Sequence, residues 1–367
     1  MHILRRLSII FVLLILIGLA YYKTTKITYS DYRPHISKIA CMLGKQPQTD
    51  KPVIFIHGIK GSVLQKDDKT LWLSQRQVLT HTEPLIYNST DTSVRATGIL
   101  DRVILIPWLY EYRSYYAIAR TLACIPRGYT FYYDWRQSPE ENAKLLSSLV
   151  RHVKEKDGAK PSIVAHSMGG LITHYAMPTI HNDIDSIIYV GTPFQPGLSF
   201  LDDYRNGSET GLNTTIQNRE AIFSAPSLPA LLPHASEKKY YGKSLFDITT
   251  WTERTNTLMP QNINQDQFSL YLDNIRRFHT QIDIPRPYKN RFLFVIGNCQ
   301  DTFEREDMTG RHYENGDGRV IASGALPYGY KLLNHKIIKS CAIHDQQLNT
   351  PDVLKEIFDF IEWDLRS

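Results

Sequence analysis

The stretch that decides the fold is SIVAHSMGGLI, residues 162–172. It begins with a mostly apolar run that predicts a buried strand, and it ends with apolar spacing that predicts a helix. Between these parts stands Ser167, with the small residues Ala165 and Gly169 two positions before and after it. A serine on a sharp turn between a strand and a helix forms a nucleophile elbow. We therefore predict Ser167 as a catalytic nucleophile.

Other apolar runs and helical stretches alternate on both sides of this elbow. The runs are continuous, as in strands of a parallel sheet that is covered on both faces. They lie at residues 53–56, 103–106, 129–133, 184–190 and 292–296, and helical patterns lie at 115–122, 140–154 and 170–177. The alternation predicts an α/β protein with a doubly wound, mostly parallel sheet, and the elbow narrows this to the α/β-hydrolase fold.

The alternation stops between Phe194 and Asn290, where prolines and scattered aromatic residues replace the strand patterns. We interpret residues 195–290 as a cap or lid inserted into a core made of residues 51–194 and 291–367. A second independent domain is the alternative. Sheet elements resume after the insertion, which favours the cap.

The amino-terminal residues indicate where the protein works. Residues 1–22 join two arginines to an apolar run, a pattern typical of a membrane anchor or a secretion signal, and residues 23–50 are polar like a juxtamembrane stalk. We expect a membrane-anchored protein with its catalytic domain outside the cytosol, in a periplasm, a lumen or at the cell surface. Cleavage after Ala20 would make it a secreted protein instead. The even set of four cysteines suits an oxidising compartment, with ordinary buried thiols as the alternative.

Composition excludes several classes of function. Hydrophobic residues make up 42% and charged residues 22% of the 367 residues, an ordinary globular balance. The net charge of +5 comes without a basic stripe, so nucleic acid is not an expected partner. Cysteine and histidine do not cluster at metal-binding spacing, and no cofactor or metal is expected.

A serine nucleophile needs hydrogen-bond donors for the oxyanion that forms during attack. One donor is usually the backbone N–H after the nucleophile, here Met168, and a second comes from a loop after an early strand. The glycine-containing loop at residues 57–62 fits that position, and we predict the Ile59 N–H as the second donor. His57 in the same loop is rejected as the general base, because this fold places its triad in the chain order Ser, Asp, His.

The acid and the base are expected late in the chain. Asp317 lies in a glycine-flanked turn and is predicted as the acid, with Asp301 as the rival. His344 lies just before a final amphipathic helix and is predicted as the base, with His335 as the spare candidate.

The chain resembles the lecithin:cholesterol acyltransferase family, which includes phospholipid:diacylglycerol acyltransferases and lysosomal phospholipase A2. The resemblance lies in VIFIHGIKGSVL, YDWRQSP, AHSMGG and GTPF, at residues 53–64, 133–139, 165–170 and 191–194. It implies that a glycerolipid or phospholipid donates an acyl chain to the serine, and that an alcohol or water accepts it at a membrane surface. No metal is implied.

Three further expectations accompany this resemblance. His57 departs from the proline that many members carry before the oxyanion loop. Cys299 and Cys341 bracket the predicted acid, and we hypothesise that they form a bridge that braces the acid and base loops. Asp134 and Arg136 of the YDWR motif are predicted to form a structural ion pair rather than to act in catalysis.

The sequence thus predicts a serine-dependent lipid O-acyltransferase or phospholipase. A carboxylesterase or triacylglycerol lipase with the same triad is the alternative. A catalytically silent binding protein on the same fold is the third reading, and the presence of all three triad candidates argues against it.

Overall fold

The computed structural model describes residues 49–106, 110–253 and 257–362. The predicted anchor at 1–22 and nearly all of the predicted stalk at 23–50 lie outside the described residues. Within the described ranges, every helix is too short or too polar to cross a bilayer.

A parallel sheet forms the centre of the molecule. In the described part of the chain it has six strands, in the spatial order β7-β1-β8-β9-β10-β13. All neighbouring strands run parallel. The strands are β1 (Val53–Ile56), β7 (Gly128–Phe131), β8 (Ser162–His166), β9 (Ser186–Val190), β10 (Arg291–Gly297) and β13 (Asn334–Ser340).

Helices cover both faces of this sheet, because successive side chains of a strand point to opposite faces. Ile54, Ile163 and Ile187 pack on one face with the long helices that follow β7 and β8, whereas Val53 and Val164 pack on the other face with the second and last helices of the chain. The helices are α1 (Gln75–Leu79), α2 (Tyr116–Cys124), α3 (Pro139–Asp157), α4 (Met168–Ile180), α5 (Leu201–Asn206), α6 (Arg219–Ser224), α7 (Ile248–Thr252), α8 (Gln265–Ile282) and α9 (Pro351–Glu362). This layered architecture is the α/β-hydrolase fold, and the predicted fold class is confirmed.

Smaller antiparallel sheets lie outside the central one. A three-stranded sheet has the order β3-β2-β4, and two hairpins pair β5 with β6 and β11 with β12. The strands are β2 (Ser62–Lys66), β3 (Lys69–Trp72), β4 (Arg95–Ile99), β5 (Arg102–Ile106), β6 (Tyr110–Arg113), β11 (Gln300–Asp307) and β12 (Gly310–Gly316). Short 3-10 helices lie at Leu228–Leu231, Ala322–Ala325, Tyr330–Leu332 and His344–Asn349.

One predicted strand belongs to a different sheet, and one strand of the central sheet was missed. The apolar run at 103–106 was expected in the central sheet, but it belongs to the β5–β6 hairpin, where Ile104 is exposed. The edge strand β13 was not predicted, since the polar residues in its sequence NHKIIKS interrupt any apolar run. An edge strand has only one neighbour and tolerates such residues.

Residues 195–290, predicted as a cap, consist mainly of helices and loops and share the apolar core of the sheet. The regular structure in the described part of residues 195–290 consists of α5 to α8 and a 3-10 helix. The aromatic side chains of Trp251 and Phe268 are fully buried in the same apolar cluster as Ile54 of β1. Helix α8 contacts helix α4, which begins directly after Ser167, and Phe278 of α8 stacks on Tyr175 of α4 with ring centroids 4.9 Å apart.

Candidate active site

The predicted site residues meet at the carboxyl edge of the parallel sheet. Ser167 follows β8 directly, and His344 follows β13 after a short loop. Asp317 follows the β11–β12 hairpin that extends from β10, and it is held to this hairpin by a bridge to Gln300. The carboxyl ends of parallel strands lie at one edge, so residues far apart in sequence come together there.

Ser167 has the backbone conformation of a nucleophile elbow. Its φ of 53° and ψ of −128° are unusual for a residue other than glycine. The turn is fixed because the Ser167 N–H donates to the Val190 carbonyl at 2.9 Å. A Cβ atom at Gly169 would lie 2.5 Å from the His57 carbonyl oxygen, so the small residue predicted there is needed for close packing.

A continuous hydrogen-bond chain links the three predicted triad residues. His344 Nδ1 lies 2.8 Å from Asp317 Oδ2, and His344 Nε2 lies 2.9 Å from Ser167 Oγ. All three side chains are buried, with Ser167 only 2% exposed. Because an ionised carboxylate only accepts hydrogen bonds, Nδ1 carries the proton, and Nε2 is left to accept the Ser167 hydroxyl proton.

The local charges favour this protonation pattern. Burial alone would raise the pKa of the Asp317 carboxyl, but the charge of His344 and hydrogen bonds from His344, Val320 and Arg319 bring it below its ordinary value. Burial alone would lower the pKa of His344, whereas the Asp317 carboxylate raises it above its ordinary value. The geometry therefore provides an ionised Asp317 next to an imidazole that gains a proton easily.

Asp317 is held on both of its oxygens. Oδ1 accepts the backbone N–H groups of Arg319 at 3.0 Å and Val320 at 2.7 Å. Oδ2 accepts a hydrogen bond from the Gln347 side-chain Nε2 at 2.9 Å, in addition to the one from His344. Sequence reasoning did not single out Gln347, although it lies three residues after the predicted base and is fully buried.

The hypothesised bridge between Cys299 and Cys341 is present and confirmed. It joins the carboxyl ends of the neighbouring strands β10 and β13, with the two Cα atoms 4.8 Å apart. It closes a sequence separation of 42 residues that contains Asp317, and it ends three residues before His344. Among the described residues no cysteine is free.

The rival candidates lie elsewhere. Asp301 is exposed on β11, in register with Asn315. His335 lies on β13, where its Nδ1 contacts the Leu333 carbonyl at 2.8 Å. The rejected base His57 stacks flat on Tyr133, and burial lowers its pKa to about 4. None of these three residues takes part in the hydrogen-bond chain that links Asp317, His344 and Ser167 in the described part of the structure.

The predicted oxyanion loop packs directly against Ser167. A Cβ atom at Gly58 would lie 2.7 Å from Ser167 Cβ and 3.2 Å from Ser167 Oγ. Within the described ranges, the N–H groups of Ile59 and Met168 have no hydrogen-bond acceptor. Unpaired backbone donors are what an oxyanion requires, so the Ile59 and Met168 N–H groups stay the predicted pair.

A second hydrogen-bond chain connects this loop to the backbone of the predicted base. The Gly58 N–H donates to the Tyr115 hydroxyl oxygen at 3.0 Å, and that hydroxyl lies 2.8 Å from His166 Nδ1. His166 Nε2 lies 3.1 Å from the His344 carbonyl oxygen, which can only accept. Burial lowers the pKa of His166 to about 3, so this imidazole stays neutral and Tyr115 donates to its Nδ1. Tyr115 and His166 thus tie the two loops together, a role that sequence reasoning missed.

The ion pair that was predicted within the YDWR motif is present. Arg136 and Asp134 form a buried ion pair with a closest distance of 2.7 Å. The motif also contacts the predicted cap segment, because the Ser227 hydroxyl donates a hydrogen bond to the Trp135 carbonyl at 2.7 Å.

Comparisons with known proteins agree with this architecture. A profile of the family described as lecithin:cholesterol acyltransferase matches residues 116–351. The phospholipase A(1) LCAT3 of Arabidopsis thaliana is 23% identical over 353 residues, which cover 82% of this chain and 74% of the plant protein. The uncharacterised protein YJR098C of Saccharomyces cerevisiae is 38% identical over 106 residues. That match covers 28% of this chain and only 16% of the yeast protein.

A solved structure shows a similar fold. A chain in the crystal structure of the Tle4-Tli4 complex superposes with a TM-score of 0.54 at 12% identity. The alignment covers 86% of this chain and 98% of that chain. At this level of identity the likeness concerns the fold alone.

Proposed function

The chain belongs to the lecithin:cholesterol acyltransferase family, and on that premise we propose that it is a lipid acyl-ester hydrolase or acyltransferase in which Ser167, His344 and Asp317 act as a catalytic triad. The observation that carries the proposal is the hydrogen-bond chain from Asp317 Oδ2 through both nitrogens of His344 to Ser167 Oγ, at 2.8 and 2.9 Å. A serine in strained backbone conformation at the end of a parallel strand supports it further.

In the first half of the proposed reaction, Ser167 Oγ attacks the carbonyl carbon of a lipid ester. His344 Nε2 takes the hydroxyl proton, and Asp317 stabilises the imidazolium that forms. The Ile59 and Met168 N–H groups hold the negative oxygen of the tetrahedral intermediate. The C–O bond to the glycerolipid then breaks, and the departing alkoxide takes the proton from His344.

In the second half, the acyl-serine ester is attacked by an acceptor hydroxyl. His344 Nε2 takes the acceptor proton and returns it to Ser167 Oγ as the acyl–serine bond breaks. Water as acceptor gives a free fatty acid, whereas an alcohol gives a new ester. The donor is proposed to be a phospholipid or another glycerolipid at a membrane surface.

The surroundings of the site support an extracytosolic location and a cap. The Cys299–Cys341 bridge is stable in an oxidising compartment. It agrees with the anchor or signal proposed for residues 1–22. Residues 195–290 are proposed to form a cap that shapes the lipid site, on a core of residues 51–194 and 291–367.

The test uses phospholipid vesicles with and without a diacylglycerol or sterol acceptor. We expect fluorophosphonate labelling of Ser167, release of fatty acid, and formation of a new ester if an alcohol is used. Ser167→Ala should lower the rate by about 10³-fold or more, because it removes the attacking oxygen. Full turnover by a folded Ser167→Ala protein would refute the assignment. Turnover of neutral glycerides alone would favour a triacylglycerol lipase, and an unlabelled wild type would favour a silent binding protein.

A further inference from the structure

Lys60 is a charged residue within the oxyanion loop, directly after Ile59. Its backbone φ of 63° lies in the left-handed region, and its carbonyl accepts the Trp72 indole N–H at 3.0 Å. Its side chain is half-buried and donates from Nζ to the Ser208 hydroxyl at 2.7 Å. The position and direction of this side chain are therefore defined.

The Lys60 ammonium lies near charges on helix α5 and on the segments that carry the predicted acid and base. Arg319, two residues after Asp317, pairs with Asp203 at 2.6 Å. Asp203, Arg319 and Asp345, which follows His344, are all close enough to influence Lys60 electrostatically. Burial lowers the pKa of Lys60, so its charged form loses hydration in this place.

This cation has no direct counterion among the residues that the structure describes. Asp203 is engaged by Arg319, and no carboxylate oxygen within the described ranges lies within 4.0 Å of Lys60 Nζ. An ammonium carries three N–H donors, and Ser208 accepts one. A partly desolvated cation with free donors is stabilised most by an anion.

We propose that Lys60 binds the phosphate of a glycerophospholipid while the ester of that lipid lies at Ser167. This inference rests on the proposed function and deepens it, because it makes Lys60 the residue that selects phospholipids over neutral glycerides. A triacylglycerol offers no anionic oxygen, so it leaves the ammonium unpaired.

The experiment compares two short-chain esters that are soluble as monomers, dibutyroylphosphatidylcholine and tributyrin. Both carry the same acyl group, and neither requires an interface, so the main difference is the phosphocholine headgroup, whose phosphate is the group that a lysine can bind. Lys60→Met keeps the aliphatic stem and removes the charge. We expect kcat/KM for the phosphatidylcholine to fall about 10- to 100-fold more than kcat/KM for tributyrin, as expected for a lost charge-assisted hydrogen bond. Lys60→Arg should restore part of the selectivity.

Lys336→Met is the matched control, since Lys336 pairs with Glu356 at an exposed site on β13. Its ratio of the two activities should equal that of the wild type. An equal loss on both esters in a folded Lys60→Met protein, or no loss on either, overturns the inference while the proposed function stands. If the wild type hydrolyses neither ester and is not labelled at Ser167, the proposed function itself is contradicted, and the role of Lys60 falls with it.

A second arm separates a lipid headgroup from free phosphate. Glycerophosphocholine should inhibit tributyrin hydrolysis by the wild type more strongly than inorganic phosphate does, and Lys60→Met should weaken this inhibition. Inhibition by inorganic phosphate alone, with an unchanged ester preference, would identify a free-anion site and overturn the headgroup assignment.

Discussion

At the residue scale, the Asp317 carboxylate is saturated with donors. Its Oδ1 accepts hydrogen bonds from two backbone N–H groups, and its Oδ2 accepts hydrogen bonds from the side chains of His344 and Gln347. The Gln347 oxygen has no hydrogen-bond partner within the described ranges, so its amide interacts chiefly through the nitrogen. We infer that Gln347 is a positioning residue that keeps the carboxylate directed at His344.

Gln347→Leu should therefore lower kcat roughly 10-fold, because a hydrogen bond to a charged group is lost in a buried place. It should also lower the pKa of His344, since a less fixed carboxylate stabilises the imidazolium less. Steady-state kinetics over pH measure both effects. Gln346→Leu, which removes a neighbouring amide bonded to the Arg113 carbonyl, is the control. An unshifted pH profile in Gln347→Leu would leave this residue only a structural role.

The pH dependence of kcat/KM follows from the raised pKa of His344. Protonated His344 cannot accept the serine proton, so activity falls as pH decreases through its pKa. Because Asp317 raises that pKa, the midpoint should lie above the ordinary 6.5. Asp317→Asn should lower the rate by about 10⁴-fold and move the midpoint down. The same midpoint in both proteins would contradict the pairing.

Folding stability should depend on the same pair with a definite sign. The raised pKa of His344 stabilises the folded state at pH below about 6.5, the value in the unfolded chain. This contribution is lost as pH rises through the folded pKa. The depressed pKa of Asp317 stabilises the folded state above its unfolded value, and that contribution is lost on acidification.

Local pattern and chain order made part of this site predictable. Ser167 follows from a strand–turn–helix sequence, and the late positions of Asp317 and His344 follow from the order of the fold. The contacts of Gln347 and Lys60 could not be predicted, because their partners are distant in sequence. Gln347 contacts Asp317, 30 residues away, and Lys60 contacts Ser208, 148 residues away. Nothing within the local sequence of either residue indicates such a partner.

At the scale of elements, the disulfide joins the ends of β10 and β13 next to the segments that carry Asp317 and His344. Removing it with Cys299→Ala and Cys341→Ala together should reduce the free energy of unfolding by about 4 kcal/mol in the chain-entropy account of a loop of this length. Denaturant titration of the double variant against the wild type measures the change. A variant is preferable to a reductant, because Cys124 is also disulfide-bonded. Unchanged stability would show that the bridge only fixes the loops locally.

The strands differ in how well the sequence predicts them. A short apolar run such as 103–106 predicts a strand but not the sheet to which it belongs, and β5 pairs in a peripheral hairpin. The polar edge strand β13 gives too weak a pattern to detect, although it delivers the predicted base. Buried central strands such as β8 and β10 were predictable because both of their faces must be apolar.

At the scale of the whole molecule, residues 195–290 and the central sheet share one apolar core. We therefore expect them to unfold together in a single transition. Phe278→Ala removes a buried ring that stacks on Tyr175, and it should destabilise the entire chain by about 3–5 kcal/mol. Far-UV circular dichroism and loss of fluorophosphonate labelling should then shift together. Leu270→Ala on the exposed side of α8 should shift neither. Two separate transitions would favour an independent second domain instead.

The stacking of Tyr175 on Phe278 also limits how relatives of this protein can be recombined. A chimera that receives residues 195–290 from another family member brings a foreign α8 surface against this chain's own α4. Because α4 begins directly after Ser167, a poor fit at the graft would disturb this serine as well as the transplanted segment. Successful exchange therefore requires that the α4 residues around Tyr175 be exchanged together with α8.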